Sequence, residues 1–354
     1  MYIKNNQSYR YPVLFLLLAY ILVFNQVNAD PIIPHNPFQE GTGIYVSDQG
    51  VYRFDDQLKL VWSALTQMQT FEPVVFGNKL FIGTSQGLFA LDISSGKVIW
   101  HIEKDKTIFS PHVYNQRLYA GSRHGQLYSI SSSNGDINWS RQFDGWVYSP
   151  VVKAEYQQLW TGGQGHRAVA VSIEDGDLLH NVTLDQEVIF SPLSSSPDTV
   201  TFNLFNGSTV VINAGKGTVQ DIISGKAQAR HLMRDDKTVL RSSRDGWLSG
   251  FTVDNLVQQS VAKTTWHRKL FESGLSLHGI SSHQLLTSDE ENQLMIFDVK
   301  TKKQVWKKQL KGNWLAPMIL SPEKIVVFFR DVMNLSRLKA LILVTNKIIE
   351  ANYD

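Results

Sequence analysis

One short phrase returns at intervals along this chain, and its spacing constrains the fold more tightly than composition does. Ala90-Leu91-Asp92-Ile93-Ser94-Ser95-Gly96-Lys97-Val98-Ile99-Trp100 recurs as Ser129-Ile130-Ser131-Ser132-Ser133-Asn134-Gly135-Asp136-Ile137-Asn138-Trp139. Worn copies occupy residues 170–180 and 296–306, ending on His180 and Trp306. A turn residue, a glycine, three further residues and an aromatic seldom fall in register by chance. A period of about 40 residues built from strands and turns indicates a β-propeller or a related array.

Each unit has the same parts. Apolar strands such as Leu80-Phe81-Ile82-Gly83, Leu118-Tyr119-Ala120-Gly121 and Leu159-Trp160-Thr161-Gly162 run into tight turns. Those turns are Ser85-Gln86-Gly87, Arg123-His124-Gly125 and, further on, Arg244-Asp245-Gly246, where glycine supplies the positive φ of a hairpin. A second turn follows at Gly96, Gly135 and Gly176, with Lys302 standing in the last copy. An aromatic-X-Pro marks where the next unit begins: Phe71-Glu72-Pro73, Phe109-Ser110-Pro111, Tyr148-Ser149-Pro150 and Phe190-Ser191-Pro192, then the related Leu315-Ala316-Pro317. Proline is tolerated at the first residue of a strand, so its fixed phase marks a strand start.

Counting hairpins from Tyr45 to Val327 yields eight units, and erosion between Thr199 and Trp266 leaves seven as the alternative. The expectation is therefore all-β: an eight-bladed, alternatively seven-bladed, β-propeller of four-stranded antiparallel blades over residues 43–346. Residues 30–42 are expected as an N-terminal extension and 347–354 as a tail. Closure is expected to pair the first strand of the mature chain with the last strands around Leu341 to Val344. An extended loop is expected between Asp254 and Trp266.

The recurring aromatics Trp62, Trp100, Trp139, Trp266 and Trp306, with His180 in the fourth copy, are expected to pack between neighbouring blades. Each indole N–H would then bond a backbone carbonyl. The other reading is a stacking platform for a planar ligand. It is disfavoured because equivalent positions in a ring of repeats do not converge on one pocket.

The Ala-X-Asp-X-X-Ser/Thr-Gly-X-X-X-Trp pattern resembles the tryptophan-docking motif of quinoprotein-like (PQQ-like) eight-bladed propellers, and the likeness runs from about Tyr45 to Val344. Within that superfamily, length and the apolar N-terminus look most like the BamB family, propeller lipoproteins of the outer-membrane β-barrel assembly machinery. That resemblance implies a non-enzymatic scaffold touching a partner through loops on one face. BamB-type proteins carry a lipobox cysteine, and this chain has no cysteine, so it cannot be acylated there. The superfamily's enzymes use pyrroloquinoline quinone and calcium, and its alcohol dehydrogenases a vicinal disulfide. The disulfide is impossible here and no calcium constellation stands out, so neither cofactor is expected. A degenerate quinoprotein or other small-molecule-binding propeller is the alternative.

Residues 1–29 read as a secretory signal. Lys4 and Arg10 form the basic start, Pro12 to Phe24 an apolar run, and Val27-Asn28-Ala29 a cleavage site before Asp30. The run is shorter than the roughly 20 residues that span a bilayer. A periplasmic or secreted location follows, with the ER lumen or a signal anchor as alternatives. The chain carries 34 basic and 32 acidic residues, a net of +2. Without Lys4 and Arg10 it is formally neutral, which argues against nucleic-acid binding. One basic cluster stands out: Lys300, Lys302, Lys303, Lys307, Lys308 and Lys311. It reads as the solvated face of an outer strand pair, or else as a contact for an acidic partner or a membrane surface. Sequons at Asn138, Asn181, Asn206 and Asn334 matter only in a glycosylating host.

Catalytic look-alikes dissolve in context. Gly83-Thr84-Ser85-Gln86-Gly87 matches a nucleophile elbow but sits in a hairpin turn, and its repeat partner has no central serine. Gly163-Gln164-Gly165-His166-Arg167-Ala168 resembles a dinucleotide fingerprint but leads into a strand. The ten histidines, His278 and His283 included, lack metal spacing. The acidic turn Asp289-Glu290-Glu291 lacks the alternating ligands of a calcium loop. No catalytic or metal-binding residue is expected. Protein partners in the envelope are expected for a monomer, with Arg123, Trp146, Arg167, Arg244, Trp247 and Trp314 as candidate contacts at turn tips and inter-blade connections.

Overall fold

The computed structural model describes residues 38–40, 43–47, 49–225, 227–252, 263–310, 314–321, 324–330 and 338–344. The expected signal, residues 254–262 of the expected loop, the expected tail and the sequon Asn334 lie outside them; the rest of that loop, up to Trp266, belongs instead to the strand Lys263–Lys269. Eight antiparallel sheets follow one another in sequence. Seven are four-stranded blades: residues 38–64, 74–102, 112–142, 151–183, 193–223, 229–269 and 276–309. The eighth sheet, at residues 314–344, has three strands among the described residues. The chain is thus an all-β propeller of four-stranded antiparallel blades, seven of them complete. The first blade already includes Phe38–Glu40, inside the stretch expected as an extension.

In every blade the strands run from inside to outside in chain order. The third strands are buried on both faces, so Gly87–Asp92 reads as a continuous apolar run. Outer strands are exposed, as at Val98–Ile102. Apolar clusters join successive blades. Tyr45, Val51 and Trp62 of blade 1 pack on Leu80, Ile82 and Phe89 of blade 2. Between blades 7 and 8, Leu286 and Ile296 pack on Ile325 and Val327.

The described strands do not include the expected closing pair. The strand Phe38–Glu40 pairs with Gly43–Ser47 of its own blade, and Leu338–Val344 pairs with Lys324–Arg330. No described strand is shared between the first and last sheets. They meet face to face instead, Ile44, Val46, Tyr52, Phe54 and Leu58 packing against Met318, Val326 and Phe328. The first unit supplies its own first strand, and side-chain burial joins the two sheets across this junction.

The repeated phrase has a geometric meaning at each letter. Ala90 stands opposite Trp100, Ser129 opposite Trp139, Ala170 opposite His180 and Gly250 opposite Trp266. Small residues leave room for the ring there; a Cβ on Gly250 would lie 2.4 Å from the Trp266 ring. A bulge follows at this phase in blades 1 to 7. Asp92 Oδ1 accepts from the Ser95 N–H at 2.9 Å and from the Ser94 and Ser95 hydroxyls, fixing the turn. Gly96 then adopts φ +69°, and a Cβ there would lie 2.7 Å from the Trp62 ring of the preceding blade.

That docking recurs around the ring. Gly135 lies under Trp100, Gly176 under Trp139 and Gly217 under His180. The Trp62 indole donates to Ile93 O at 3.0 Å and Trp139 to Ile173 O at 3.2 Å. The Trp100 indole N–H is buried without an acceptor among the described residues, which departs from the expected bond. At that blade junction Lys79 Nζ donates to Ser132 O at 3.1 Å and Ser133 O at 2.8 Å. Trp266 crosses to Phe297 of blade 7 with ring centroids 5.8 Å apart, and Trp306 packs toward the eighth sheet. Lys302 adopts φ +59° in place of glycine.

Candidate interaction face

The hairpin turns between second and third strands, and the connections from one blade to the next, lie at one end of the propeller. Bridges Thr70↔Thr84, Ile108↔Ser122, Val147↔Gly163 and Val188↔Leu204 tie the connections into blades 2 to 5 to the following hairpin. Close approach is severe at Gly163, where a Cβ would fall 1.6 Å from Trp146 O; only glycine fits there. The two look-alike motifs serve this architecture. Ser85-Gln86 is a hairpin turn, with Thr84 Oγ1 donating to Gly87 O at 2.9 Å. Arg167 opens the strand Arg167–Ser172.

Trp146 lies on the connection between blades 3 and 4. Its ring is half-buried, 6.4 Å from Phe109, and the Arg123 guanidinium sits over it at 4.4 Å. A cation over an indole face gains about 0.5–2 kcal/mol and holds both groups in place. Beside this stack opens a depression lined by Arg141, Asp144, Trp146, Gly163, Arg167 and Asn181 among others. Arg167 is exposed and makes no ion pair among the described residues. Arg141 reaches across to blade 4, donating to Gly176 O at 2.8 Å and meeting Asp177 at 3.5 Å.

Three of the six candidate contacts, Arg123, Trp146 and Arg167, therefore gather around blades 3 and 4. Arg244 and Trp247 sit at the same end of blade 6, Arg244 exposed and Trp247 edge-on to His267 at 5.1 Å. Trp314 begins the eighth sheet, with its backbone opposite Phe329. Arg141 was missed in sequence, although a signal existed: two residues beyond Trp139 on a strand, it shares that tryptophan's face toward the next blade.

The remaining titratable clusters have internal duties. His278 bonds Ser288 Oγ at 2.7 Å, and His283 meets Asp235 at 3.1 Å. Asp289 accepts from the Glu291 and Gln293 backbones, and Glu290 pairs with Arg230 at 2.6 Å. Lys153, fully buried, donates to Ser196 O and to Thr199 O, tying blade 4 to blade 5; its burial pulls the ammonium down to about 8. Glu72 follows the first aromatic of an arc in which Phe71, Phe109 and Tyr148 stand 5.4 and 5.3 Å apart. Desolvation pushes its carboxyl up to about 7.

A quinone cofactor with calcium requires several hard oxygen donors around one point. Among the described residues no three His, Asp or Glu side chains gather so as to hold a metal ion. Glu72 has no second carboxylate beside it at the equivalent positions, which are Ser110, Ser149 and Ser191.

A family model described as outer membrane protein assembly factor BamB matches residues 23–110 and 104–244. BamB from Moraxella catarrhalis has a similar fold, with a TM-score of 0.67 at 14% identity over 90% of this chain and 95% of that one. A computationally designed protein matches with a TM-score of 0.71 at 13% identity, covering 93% and 99%. A quinohemoprotein alcohol dehydrogenase from Pseudomonas putida matches with a TM-score of 0.66 at 10% identity, covering 94% of this chain and 76% of that one. No curated protein matches by sequence. The structural likenesses establish the fold alone; the sequence match, spanning residues 23–244 of 354, is what shows that the chain belongs to the BamB family of outer membrane protein assembly factors.

Proposed function

We propose that this chain is an exported, non-enzymatic propeller that acts as a protein-interaction scaffold in the cell envelope, in outer-membrane protein assembly. The observation that carries this reading is the Arg123–Trp146 stack beside the exposed Arg167, at the end where the blade connections converge. Tryptophan and arginine dominate interface energetics because they combine large buried area with directional donors. Held in place by packing, they lose little entropy on binding. Family membership and the apolar N-terminal segment support the envelope setting. Neither pyrroloquinoline quinone nor calcium enters this function.

The test is capture of envelope proteins on the immobilised chain. Trp146→Ala with Arg167→Ala is expected to weaken capture of a specific partner by roughly thirtyfold or more, since two such contacts contribute at least about 2 kcal/mol together. The single Arg167→Ala variant, at an exposed position, controls for folding. A rise in Tm with pyrroloquinoline quinone and calcium, together with dye-linked alcohol oxidation, would show the scaffold reading to be wrong. A mature N-terminus at Asp30 tests the export step, and a retained segment would refute cleavage.

A further inference from the structure

Blade 7 concentrates lysines that form no ion pair among the described residues. The turn after its third strand carries Lys300 and Lys302, and the outer strand Lys303–Gln309 adds Lys303, Lys307 and Lys308. Lys300, Lys302, Lys303 and Lys307 are exposed. None of the five forms an ion pair among the described residues. The carboxylate nearest in sequence, Asp298, accepts the Thr301 backbone N–H at 2.6 Å instead.

Two ordinary explanations fall short. Lysines on an exposed edge strand discourage unwanted strand pairing. Yet the outer strands of blades 1 to 5, equally exposed at their edges, contain no lysine. Net charge does not account for the patch either. The chain carries only +2, and the equivalent turns of blades 3 and 4 are acidic, with Asp136, Glu174, Asp175 and Asp177. The field at blade 7 is local.

Its chemistry distinguishes the class of partner. Every cation in the patch is a lysine, a hydrated point charge on a flexible stem. Arginine, whose rigid fork suits geometric recognition of a carboxylate, lies instead around Trp146 at the interaction face. Flexible point charges suit a surface of many mobile anions. Val305, 52% exposed, sits among the lysines and offers an aliphatic contact at the same rim.

We propose that the outer strand and adjoining turn of blade 7 dock the propeller on an anionic lipid surface. The contact is made by the rim, so the end bearing Trp146 stays free for a protein. Each basic residue near such a surface adds attraction that falls off within a Debye length.

Sedimentation of the full chain with vesicles tests this, using phosphatidylcholine mixed with phosphatidylglycerol against phosphatidylcholine alone. Neutral vesicles report whatever the apolar N-terminal residues contribute, so the reading is the excess on anionic ones. The expected result is an excess that falls about a hundredfold in the Lys300→Gln, Lys302→Gln, Lys303→Gln variant and fades in high salt. A matched variant, Lys59→Gln, Lys97→Gln, Lys104→Gln, should keep the excess. No excess, an excess that survives the blade 7 variant, or an equal loss in the matched variant overturns the proposal. So does retention on immobilised polyglutamate without any vesicle excess, which would make the patch a protein contact. Equal thermal melts of the variants exclude misfolding as the cause.

Discussion

Glu72 shows how much one position depends on its neighbours. In sequence it is the middle residue of Phe71-Glu72-Pro73, equivalent to serines in the next three units. In the ring it is largely enclosed, and desolvation alone holds its carboxyl at about 7. The folded protein therefore retains this proton between about pH 4.5 and 7 while the unfolded chain has lost it. Folded protein binds more protons across that window, so stability falls as pH rises through it. Glu72→Gln should leave stability nearly unchanged at pH 4.5 and raise it at pH 8, by on the order of 3 kcal/mol at most. Thermal melts at the two pH values check this, and equal shifts at both would contradict it. The repeat phase of Glu72 was legible in sequence. Its desolvation was not, because that depends on what the adjoining blades place around it.

At the level of the blade, the turn glycine and the preceding aromatic form one unit split across two repeats. Gly96→Ala would force an L side chain to φ +69° and drive a Cβ to 2.7 Å from the Trp62 ring. Left-handed backbone costs about 1–2 kcal/mol and overpacking about 1–3 kcal/mol. A loss of about 2–5 kcal/mol is expected, read as a lower urea midpoint at unchanged m-value. A loss below about 0.5 kcal/mol would mean the docking contributes little. Ala, Asp, Gly and Trp could all be picked out in sequence because local turn chemistry and strand alternation select them. That Gly96 lies under Trp62 rather than under Trp100 was not written locally. His180 over Gly217 shows the same docking persisting where the motif had worn down.

For the whole molecule, closure is the vulnerable step. Phe54 and Phe328 meet at 5.6 Å between the first blade and the eighth sheet, and both are fully buried. Among the described residues, side-chain packing is what joins the two sheets there. Phe328→Ala should cost about 3–5 kcal/mol, as for other buried phenylalanines. Denaturant unfolding followed by intrinsic fluorescence would show it. A variant as stable as the parent would mean that other contacts hold the ring.

The periodic strands, the turns, the docking aromatics and the propeller class were determined by the sequence itself. Each follows from short-range rules: hairpin turns select glycine, and buried third strands select apolar runs. The manner of closure, the gathering of Arg123, Trp146 and Arg167 beside one depression, and the desolvation of Glu72 were decided only by the tertiary structure. They depend on which blades become neighbours and how closely they approach. Repeats that look alike in sequence differ in what the next blade brings to them.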